Sequence, residues 1–251
     1  MKIIVSENAT VLGKKAAAMA AQYINEAICQ KGSARIILST GASQFTTLEA
    51  LVLEDIDWSR VEMFHLDEYV NLPQTHPASF VKYLTERFVE KVGPLKAVHF
   101  VDTSRGTDSI IEHLTARLDS APIDLGLIGI GENAHIAFND PPADFDNQNA
   151  YIVVNLDEAC RRQQLGEGWF PTLEDVPAQA VSMTVSRILK CEHIICPVPY
   201  RVKAAAIRKT LEQDVNNMVP ATILKTHRDV TIFADQESLS EVPSPLLEQY
   251  V

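Results

Sequence analysis

Three short polar segments carry the residue types that proton transfer and anion binding require. They are residues 39–43 (STGAS), 66–69 (LDEY) and 129–135 (GIGENAH). Each follows an apolar run typical of a buried strand, so each is expected at the carboxyl end of a strand. Ligands of open α/β sheets bind beyond those ends, near the point where the strand order reverses. We therefore look for the site where these three segments end their strands.

The segment 39–43 is suited to holding an anion. Thr40, Gly41 and Ser43 supply hydroxyl and backbone N–H donors and allow close approach at the start of a helix, where the dipole favours negative charge. Ser and Thr also cap helices for structural reasons alone, and the segment lacks the Lys-Ser/Thr pair of a P-loop. An N-cap turn and a phosphate cradle both stay open. Lys203, at the start of a later helix, is either a second anion ligand or a solvated lysine.

Asp67 and Glu68 are adjacent carboxylates that follow a buried run. Such a pair is often solvated on a loop, or it caps the next segment. Burial, however, raises the pKa of a carboxylate and makes it a usable base near neutral pH. The pattern by itself leaves these interpretations open.

The segment 129–135 formally matches the dinucleotide fingerprint G-x-G-x-x-A. That fingerprint must open a helix, whereas Pro141-Pro142 follows within about two turns, so no nicotinamide cofactor is expected. What is left is a glycine-rich turn that presents Asn133, His135 and Asp140 together. A histidine beside an apolar segment is usually a packed core residue, but polar neighbours in a glycine turn favour proton transfer.

Strand-like and helix-like segments alternate along the chain. Strands are predicted at the N-terminus and at 35–38, 61–66, 98–101, 123–130, 193–198 and 230–233, and helices at 10–30, 43–54, 78–92, 107–119 and 200–213. Pro77 is expected in the first turn of the third helix. Continuous apolar strands that alternate with helices imply a parallel sheet covered on both faces. We predict one doubly wound, Rossmann-like α/β domain spanning 1–251.

Composition disfavours several classes of partner. Thirty-three Asp and Glu residues against 22 Lys and Arg give a net charge of −11, which disfavours nucleic acid and anionic membrane surfaces. No apolar stretch approaches the roughly 18 residues of a membrane span, and the N-terminal apolar run is shorter than the about 7–15 residues of a secretory signal. We predict a cytoplasmic protein without nucleic-acid or membrane partners.

The cysteines and histidines lack the spacing of a metal site. Cys191 and Cys196 are spaced C-x4-C without a second pair, and none of the seven histidines forms an H-x3-H pair. Reduced, packed thiols and no metal are expected. A serine hydrolase is disfavoured because the chain has no G-x-S-x-G elbow.

Taken together, these segments resemble the glucosamine-6-phosphate deaminase/isomerase family, which is related to the 6-phosphogluconolactonases. The resemblance is carried, in order, by residues 39–43, 66–73 (LDEYVNLP), 76–80 (HPASF), 129–141 (GIGENAHIAFNDP), 183–185 (MTV) and 203–204 (KA). The lactonase branch typically has Arg after Asp-Glu, where this chain has Tyr69. The amino-sugar branch is therefore favoured.

The resemblance implies conversion of glucosamine 6-phosphate to fructose 6-phosphate and ammonia without metal or organic cofactor. By family position, His135 moves the proton that opens the sugar ring, a task suited to a side chain with an ordinary pKa of about 6.5. Asp67 then moves a proton from C2 to C1. The positions that match phosphate-holding residues of the family are Thr40, Gly41, Ala42, Ser43 and Lys203.

Three departures from the family pattern concern the same site. The family has Asp where this chain has Asn133, and Glu where it has Asp140, and both positions orient the histidine. Asn133 is expected to accept a hydrogen bond from the imidazole without stabilising its positive charge. The family has a phosphate-binding arginine in the segment before Trp169, where this chain has LGEG at 165–168 and no arginine. Candidate substitutes are Arg161, Arg162 and Arg201.

Four functions consequently stay open. They are the deaminase, the same chemistry on another sugar phosphate, a 6-phosphogluconolactonase-like hydrolase, and a sugar-phosphate binder without turnover. Self-association into a homo-oligomer is compatible with each of them.

Overall fold

Residues 1–156, 158–166 and 168–251 are described by a computed structural model, and within them the chain forms ten strands and nine α-helices. The strands are β1 (Lys2–Ser6), β2 (Ala34–Leu38), β3 (Val61–His65), β4 (Asp67–Tyr69), β5 (Ala97–His99), β6 (Leu125–Leu127), β7 (Tyr151–Asn155), β8 (Gln179–Met183), β9 (His193–Val198) and β10 (Val230–Asp235). The α-helices are α1 (Ala9–Lys31), α2 (Phe45–Leu51), α3 (Phe80–Leu84), α4 (Glu90–Val92), α5 (Thr107–Asp119), α6 (Glu158–Gly166), α7 (Val185–Ile188), α8 (Ala204–Glu212) and α9 (Ser244–Leu247). A π-helical segment, Thr85–Val89, joins α3 to α4, and 3₁₀ helices cover Ala42–Gln44, Trp58–Arg60, Thr103–Arg105, Arg201–Lys203 and Pro220–Thr226.

Seven strands form an entirely parallel sheet in the order β1-β10-β9-β6-β2-β3-β5. Successive residues of β2 alternate between two apolar clusters. Ile36 and Leu38 belong to the cluster that contains α1, and Ile37 belongs to the cluster that contains α5 and α8. Helices therefore cover both faces, which confirms the predicted doubly wound α/β fold. The extent of the single domain over 1–251 stays a prediction.

The direction in which strands are added reverses between β2 and β6, which are neighbours in the sheet. From β2 the chain proceeds outward through β3 and β5, and from β6 it proceeds the other way through β9 and β10. Connections that diverge from such a point leave a crevice at the carboxyl ends of the strands. The segments that leave β2 and β6 are the predicted 39–43 and 129–135 segments, so both border this crevice.

A second, antiparallel sheet with the order β4-β8-β7 is absent from the sequence-based prediction. Asp67 and Glu68 lie in β4 of this sheet, so their expected position on a loop is wrong. β4 has three residues and no apolar run, which gives no periodic signal. β7 alternates buried with more exposed residues, as antiparallel sheets with one solvated face do, whereas the prediction rests on continuous apolar strands.

Two predicted element boundaries are also wrong. Helix α3 begins at Phe80 rather than at Pro77, because the Ser79 hydroxyl accepts a hydrogen bond from the N–H of Lys82 and so caps the helix. The strand expected at 123–130 is limited to β6, because the chain beyond it turns into the wall of the crevice. By contrast, α5 and β9 have the predicted bounds.

Two further observations concern covalent state and membrane insertion. All four cysteines are free thiols, and three of them are buried. Within the described residues, no helix combines the length and apolarity needed to cross a membrane.

Candidate active site

A cavity of about 500 Å³ opens where the strand order reverses. All three predicted segments contribute to its wall. Asp67, His135 and Lys203 line it, as do the four residues 40–43. Asn133 and Asp140 do not line the cavity but lie behind His135, as described below. The predicted phosphate, base and histidine positions thus line one cavity.

The segment 40–43 presents a row of backbone donors to the cavity. Within the described residues, the N–H groups of residues 40 to 43 have no acceptor in the protein. The turn depends on Gly41, whose φ of 96° lies in the region that favours glycine. The Tyr83 hydroxyl donates to the Gly41 carbonyl at 3.0 Å and fixes the turn from the side. A row of backbone N–H groups without acceptors is an arrangement that suits an anion.

Lys203 lies directly before α8 and faces the same volume. Among the described residues that line the cavity, it is the one Lys or Arg side chain. The turn that delivers it contains Tyr200 at a φ of 77°, whose N–H donates to the Asp235 carboxylate at 3.2 Å. The fixed turn places a cation beside the row of amide donors.

The three arginines considered as further phosphate ligands do not line the cavity. Arg161 donates to the carbonyls of Leu173 and Val176, and Arg162 pairs with Glu158 on its own helix. The guanidinium groups of Arg161 and Arg162 therefore bind neighbouring groups of the protein, and Arg201 is exposed. The segment 165–168 includes Glu167, which lies outside the described residues.

Asp67 is a buried carboxylate without a partner. The residue is 6% exposed and lines the cavity, and among the described residues its carboxylate has no hydrogen bond or ion pair. Burial, with a smaller contribution from the neighbouring Glu68 charge, raises the pKa of Asp67 to about 8. A carboxyl group held in this way titrates near neutral pH and can act as a base there.

Glu68 has the structural role that the sequence left open for the pair. Its carboxylate accepts hydrogen bonds from the Tyr69 N–H, from the Ser79 hydroxyl and from the Val81 N–H. It therefore ties β4 to the start of α3. Burial still raises its pKa, to about 7, because these donors offset only part of the desolvation. The two adjacent carboxylates differ because Glu68 is saturated with donors and Asp67 has none.

His135 is oriented by Asp140. The imidazole Nδ1 lies 2.8 Å from Asp140 Oδ1, and both side chains are 15% exposed. Burial opposes ionisation of Asp140, but the hydrogen bond and charge of His135, together with the Asn133 amide and the Cys160 thiol, outweigh it and lower its pKa. Because Asp140 accepts from Nδ1, the Nε2 edge is the one left for proton exchange.

Asn133 accepts its hydrogen bond from the His135 backbone rather than from the imidazole, so that expectation is wrong. Its Nδ2 donates to Asp140 Oδ1 at 2.9 Å, and its Oδ1 accepts from the backbone N–H of His135 at 3.1 Å. The short turn brings the Asn133 side chain back to the backbone rather than to the ring. Asn133 thus positions the carboxylate that positions the histidine.

Gly131 provides the space for the imidazole. A Cβ at this position would lie 2.2 Å from His135 Nε2 and 2.4 Å from the adjacent ring carbons, so any larger residue must displace the ring. The turn also holds Ala134 and Ala137 at φ values of 68° and 51°, in a region that L residues rarely adopt. The imidazole therefore packs directly against Gly131, and the backbone on either side of His135 is held by the turn at Ala134 and Ala137.

β8 connects the Asp67 strand to the His135 turn. Ser182 pairs with Asp67 in the small sheet, and its hydroxyl accepts from the N–H of Phe138 at 3.0 Å. Asn139 donates to the carbonyl of Met183 at 2.9 Å. One strand therefore sets the relative position of the two candidate proton-transfer groups.

Several residues that line the cavity were not predicted. They are Ser79 and Phe80 at the start of α3, Phe138 in the turn after His135, Gln164 of α6, and Trp169. Only proximity in the fold identifies Gln164, because a lone glutamine in a polar helix gives no sequence signal. Within the described residues, no group of three or more His, Cys, Asp or Glu side chains has the arrangement of a metal site.

Comparisons with known proteins agree with this fold and identify a family to which the chain is similar. The family described as glucosamine-6-phosphate isomerases/6-phosphogluconolactonase matches residues 7–233. A glucosamine-6-phosphate deaminase of Streptococcus sanguinis is 34% identical over 241 residues, which cover 96% of this chain and 98% of that protein. A glucosamine-6-phosphate deaminase of Shouchella clausii is 33% identical over 249 residues, which cover 96% and 97%.

Two solved structures are similar to this chain. One, described as a monomeric glucosamine-6-phosphate deaminase, has a TM-score of 0.86 at 29% identity and covers 96% of this chain and 100% of its own. A 6-phosphogluconolactonase of Shewanella baltica has a TM-score of 0.78 at 18% identity and covers 94% and 97%. The second likeness extends to the fold alone.

Proposed function

The chain belongs to the family of glucosamine-6-phosphate isomerases and 6-phosphogluconolactonases, and we propose that it converts glucosamine 6-phosphate and water to fructose 6-phosphate and ammonia. Its membership confirms the resemblance drawn from the motifs. The observation that carries the proposal is that an unpaired buried carboxyl group and a carboxylate-oriented imidazole line one cavity. Relatives that are about a third identical over nearly the whole chain carry the deaminase name.

The phosphate group of the substrate binds at the 40–43 cradle and Lys203. Unpaired backbone N–H groups supply hydrogen bonds in fixed directions, and the ammonium group of Lys203 supplies charge. The Ser43 hydroxyl adds a side-chain donor beside Gly129, where a Cβ would lie only 3.3 Å from Ser43 Oγ. With the phosphate held there, the sugar extends into the remainder of the cavity.

His135 opens the sugar ring. Its Nε2 takes the proton from the O1 hydroxyl and delivers it to O5 as the C1–O5 bond breaks, which leaves an aldehyde at C1. The negative charge of Asp140 on Nδ1 stabilises the imidazolium that exists between the two transfers. Asn133 keeps Asp140 in place throughout.

Asp67 then shifts the carbonyl function from C1 to C2. In its ionised form it removes the proton from C2 while O1 takes up a proton from solvent, which gives an enolamine, and it returns the C2 proton to C1, which gives a protonated imine at C2. Addition of water to the imine releases ammonia and leaves the ketone of fructose 6-phosphate. A pKa of about 8 suits both halves of this task, because the group must accept and donate the same proton.

Ammonia release tests the proposal. Purified protein with millimolar glucosamine 6-phosphate is expected to form ammonia and fructose 6-phosphate in equal amounts. Asp67→Asn and His135→Gln should each lower kcat by about 10²- to 10⁴-fold, the range for loss of a positioned acid or base. The exposed Asp55→Asn and His113→Gln serve as matched controls and should keep wild-type rates. Absence of ammonia above background would refute the deaminase assignment.

The same preparation distinguishes the alternatives. Faster turnover of an epimeric amino-sugar phosphate than of glucosamine 6-phosphate would reassign the substrate. Hydrolysis of 6-phosphogluconolactone would indicate the lactonase reaction, and calorimetric binding of sugar phosphates without any product would indicate a binding protein. We place the reaction in the cytoplasm because sugar phosphates are made there. Homo-oligomer formation stays a prediction, which sedimentation would test.

A further inference from the structure

One face of helix α6 lies along the candidate active site. Cys160 and Gln164 are four residues apart on this helix and so share a face. Cys160 is buried, and its thiol is one of the donors to the Asp140 carboxylate. Gln164 is 8% exposed and lines the cavity. The helix therefore reaches the His135 side of the site with one residue and the cavity itself with the other.

The amide of Gln164 is held at its oxygen. Tyr69 donates its hydroxyl to Gln164 Oε1 at 2.6 Å, and Tyr69 is fully buried. Its ring packs against Phe80, Phe138 and Phe170, with centroid distances of 5.0, 5.4 and 5.8 Å. A phenol fixed by three rings defines the direction of the amide. Among the described residues, Gln164 Nε2 has no hydrogen-bond partner, so its two N–H donors are available to a ligand.

The position of Tyr69 in β4 locates these donors along the cavity. Asp67 and Tyr69 are two residues apart in one strand, so their side chains project to the same face and their Cα atoms are about 7 Å apart. Gln164, bound to Tyr69, therefore lies at the Asp67 end of the cavity. The phosphate cradle belongs to a different strand end, after β2.

We propose that Gln164 binds the substrate directly, donating a hydrogen bond from Nε2 to a hydroxyl or carbonyl oxygen at the C1–C3 end of the open-chain sugar. The inference rests on the proposed function, since it assigns the reacting end of an amino-sugar phosphate to the Asp67 side of the site. An amide donor beside the base would hold C2 within reach of the Asp67 carboxylate. Gln164 thereby raises the affinity for a sugar phosphate with an oxygen at the C1–C3 end relative to that for inorganic phosphate.

Binding of two ligands tests the role without requiring turnover. The ligands are inorganic phosphate and 2-amino-2-deoxyglucitol 6-phosphate, an open-chain amino alditol that cannot react. Gln164→Met keeps the length of the side chain and removes both donors. We expect its affinity for the alditol phosphate to fall about tenfold, the effect of losing one hydrogen bond, while its affinity for inorganic phosphate is unchanged. Gln22→Met, at an exposed site of α1, should alter neither.

Turnover and a second variant complete the test. Gln164→Glu keeps an oxygen for the Tyr69 hydroxyl but replaces the donors with acceptors, so it should lower kcat/KM for glucosamine 6-phosphate at least as much as Gln164→Met. Wild-type alditol affinity in Gln164→Met, or an equal loss for inorganic phosphate, would overturn the proposal. A wild-type protein that binds the alditol phosphate but releases no ammonia would refute the proposed function, and the affinity ratio would still decide the role of Gln164.

Discussion

Replacing Asp67 by Asn should stabilise the protein at neutral pH while lowering kcat by about 10²- to 10⁴-fold. The carboxyl group of Asp67 is buried and unpaired, and its pKa is raised from 3.8 to about 8. The folded protein therefore holds a proton up to about pH 8 that the unfolded chain loses from about pH 4. Because the folded state binds the extra proton, its free energy of unfolding decreases as the pH rises through that interval.

The size of this effect follows from the two pKa values. Each pH unit between them is worth about 1.4 kcal/mol, so three units above the ordinary pKa, at pH 7, the wild type has lost on the order of 4 kcal/mol. That loss is comparable with the about 5–15 kcal/mol by which most domains are stable. Asparagine has a similar shape and no titrating proton, so Asp67→Asn is free of the pH-dependent loss. The buried Glu68 titrates in both proteins, and its contribution largely cancels in the difference.

Urea unfolding at pH 5 and pH 7.5 measures the effect. We expect the stability of Asp67→Asn relative to wild type to increase by about 3 kcal/mol between these two pH values. Asp140→Asn is the matched control. The pKa of Asp140 is lowered from 3.8 in the folded protein, so its contribution to stability changes only below its ordinary pKa, and the stability of Asp140→Asn relative to wild type should be the same at pH 5 and pH 7.5.

The reasoning for Asp67 would be refuted if the difference in free energy of unfolding between Asp67→Asn and wild type were the same at pH 5 and pH 7.5. It would also be refuted if wild type were the more stable protein at pH 7.5. Either result would mean that Asp67 is ionised in the folded protein at neutral pH. It would then lack the proton affinity that the transfer between C2 and C1 requires.

Four further predictions concern activity. The kcat/KM for glucosamine 6-phosphate should rise with pH up to about 8, because free enzyme needs Asp67 ionised; a profile already flat from pH 6 would contradict this. Gly131→Ala should lower kcat at least about 100-fold by displacing the imidazole, whereas Gly166→Ala, whose Cβ meets nothing within 4 Å, should not. Lys203→Ala should raise KM for the sugar phosphate about 100-fold with a smaller change in kcat, and equal losses in both would argue against a phosphate ligand. Asn133→Asp should lower kcat at pH 8 several-fold and recover as the pH falls, since it places two carboxylates 2.9 Å apart that must share a proton; a raised kcat at pH 8 would contradict this.

The parallel sheet was predictable because its strands are continuous apolar runs. Residues 193–198 and 107–119 carry unbroken strand and helix patterns, and the structure has the elements there. The small sheet was not predictable in the same way. β4 is formed by Asp67, Glu68 and Tyr69, which have no common polarity, and their pairing with β8 depends on residues more than 100 positions away. Local pattern cannot encode such a contact.

Some residues of the candidate site were predictable from local sequence pattern, and others were not. Positions 40–43, 67 and 135 were predictable because they follow strands whose carboxyl ends must meet. The partner of the imidazole was only half predictable. Asp140 reaches His135 although it is one methylene shorter than glutamate, because the turn holds the two residues close. The role of Asn133 was predicted wrongly, since sequence spacing does not reveal that a side chain folds back to its own backbone.

The pKa values of two aspartates in the same site are shifted in opposite directions by their different burial and by the donors around them. Asp140 has an imidazole, an amide and a thiol to accept from, and its pKa is lowered. Asp67 is more deeply buried and has no such donor among the described residues, and its pKa is raised. A permanent charge is what an orienting group for histidine needs, and an exchangeable proton is what a base working at neutral pH needs. The fold therefore gives two residues of one type the different proton affinities that their proposed roles require, by burying one carboxylate without donors and supplying hydrogen bonds to the other.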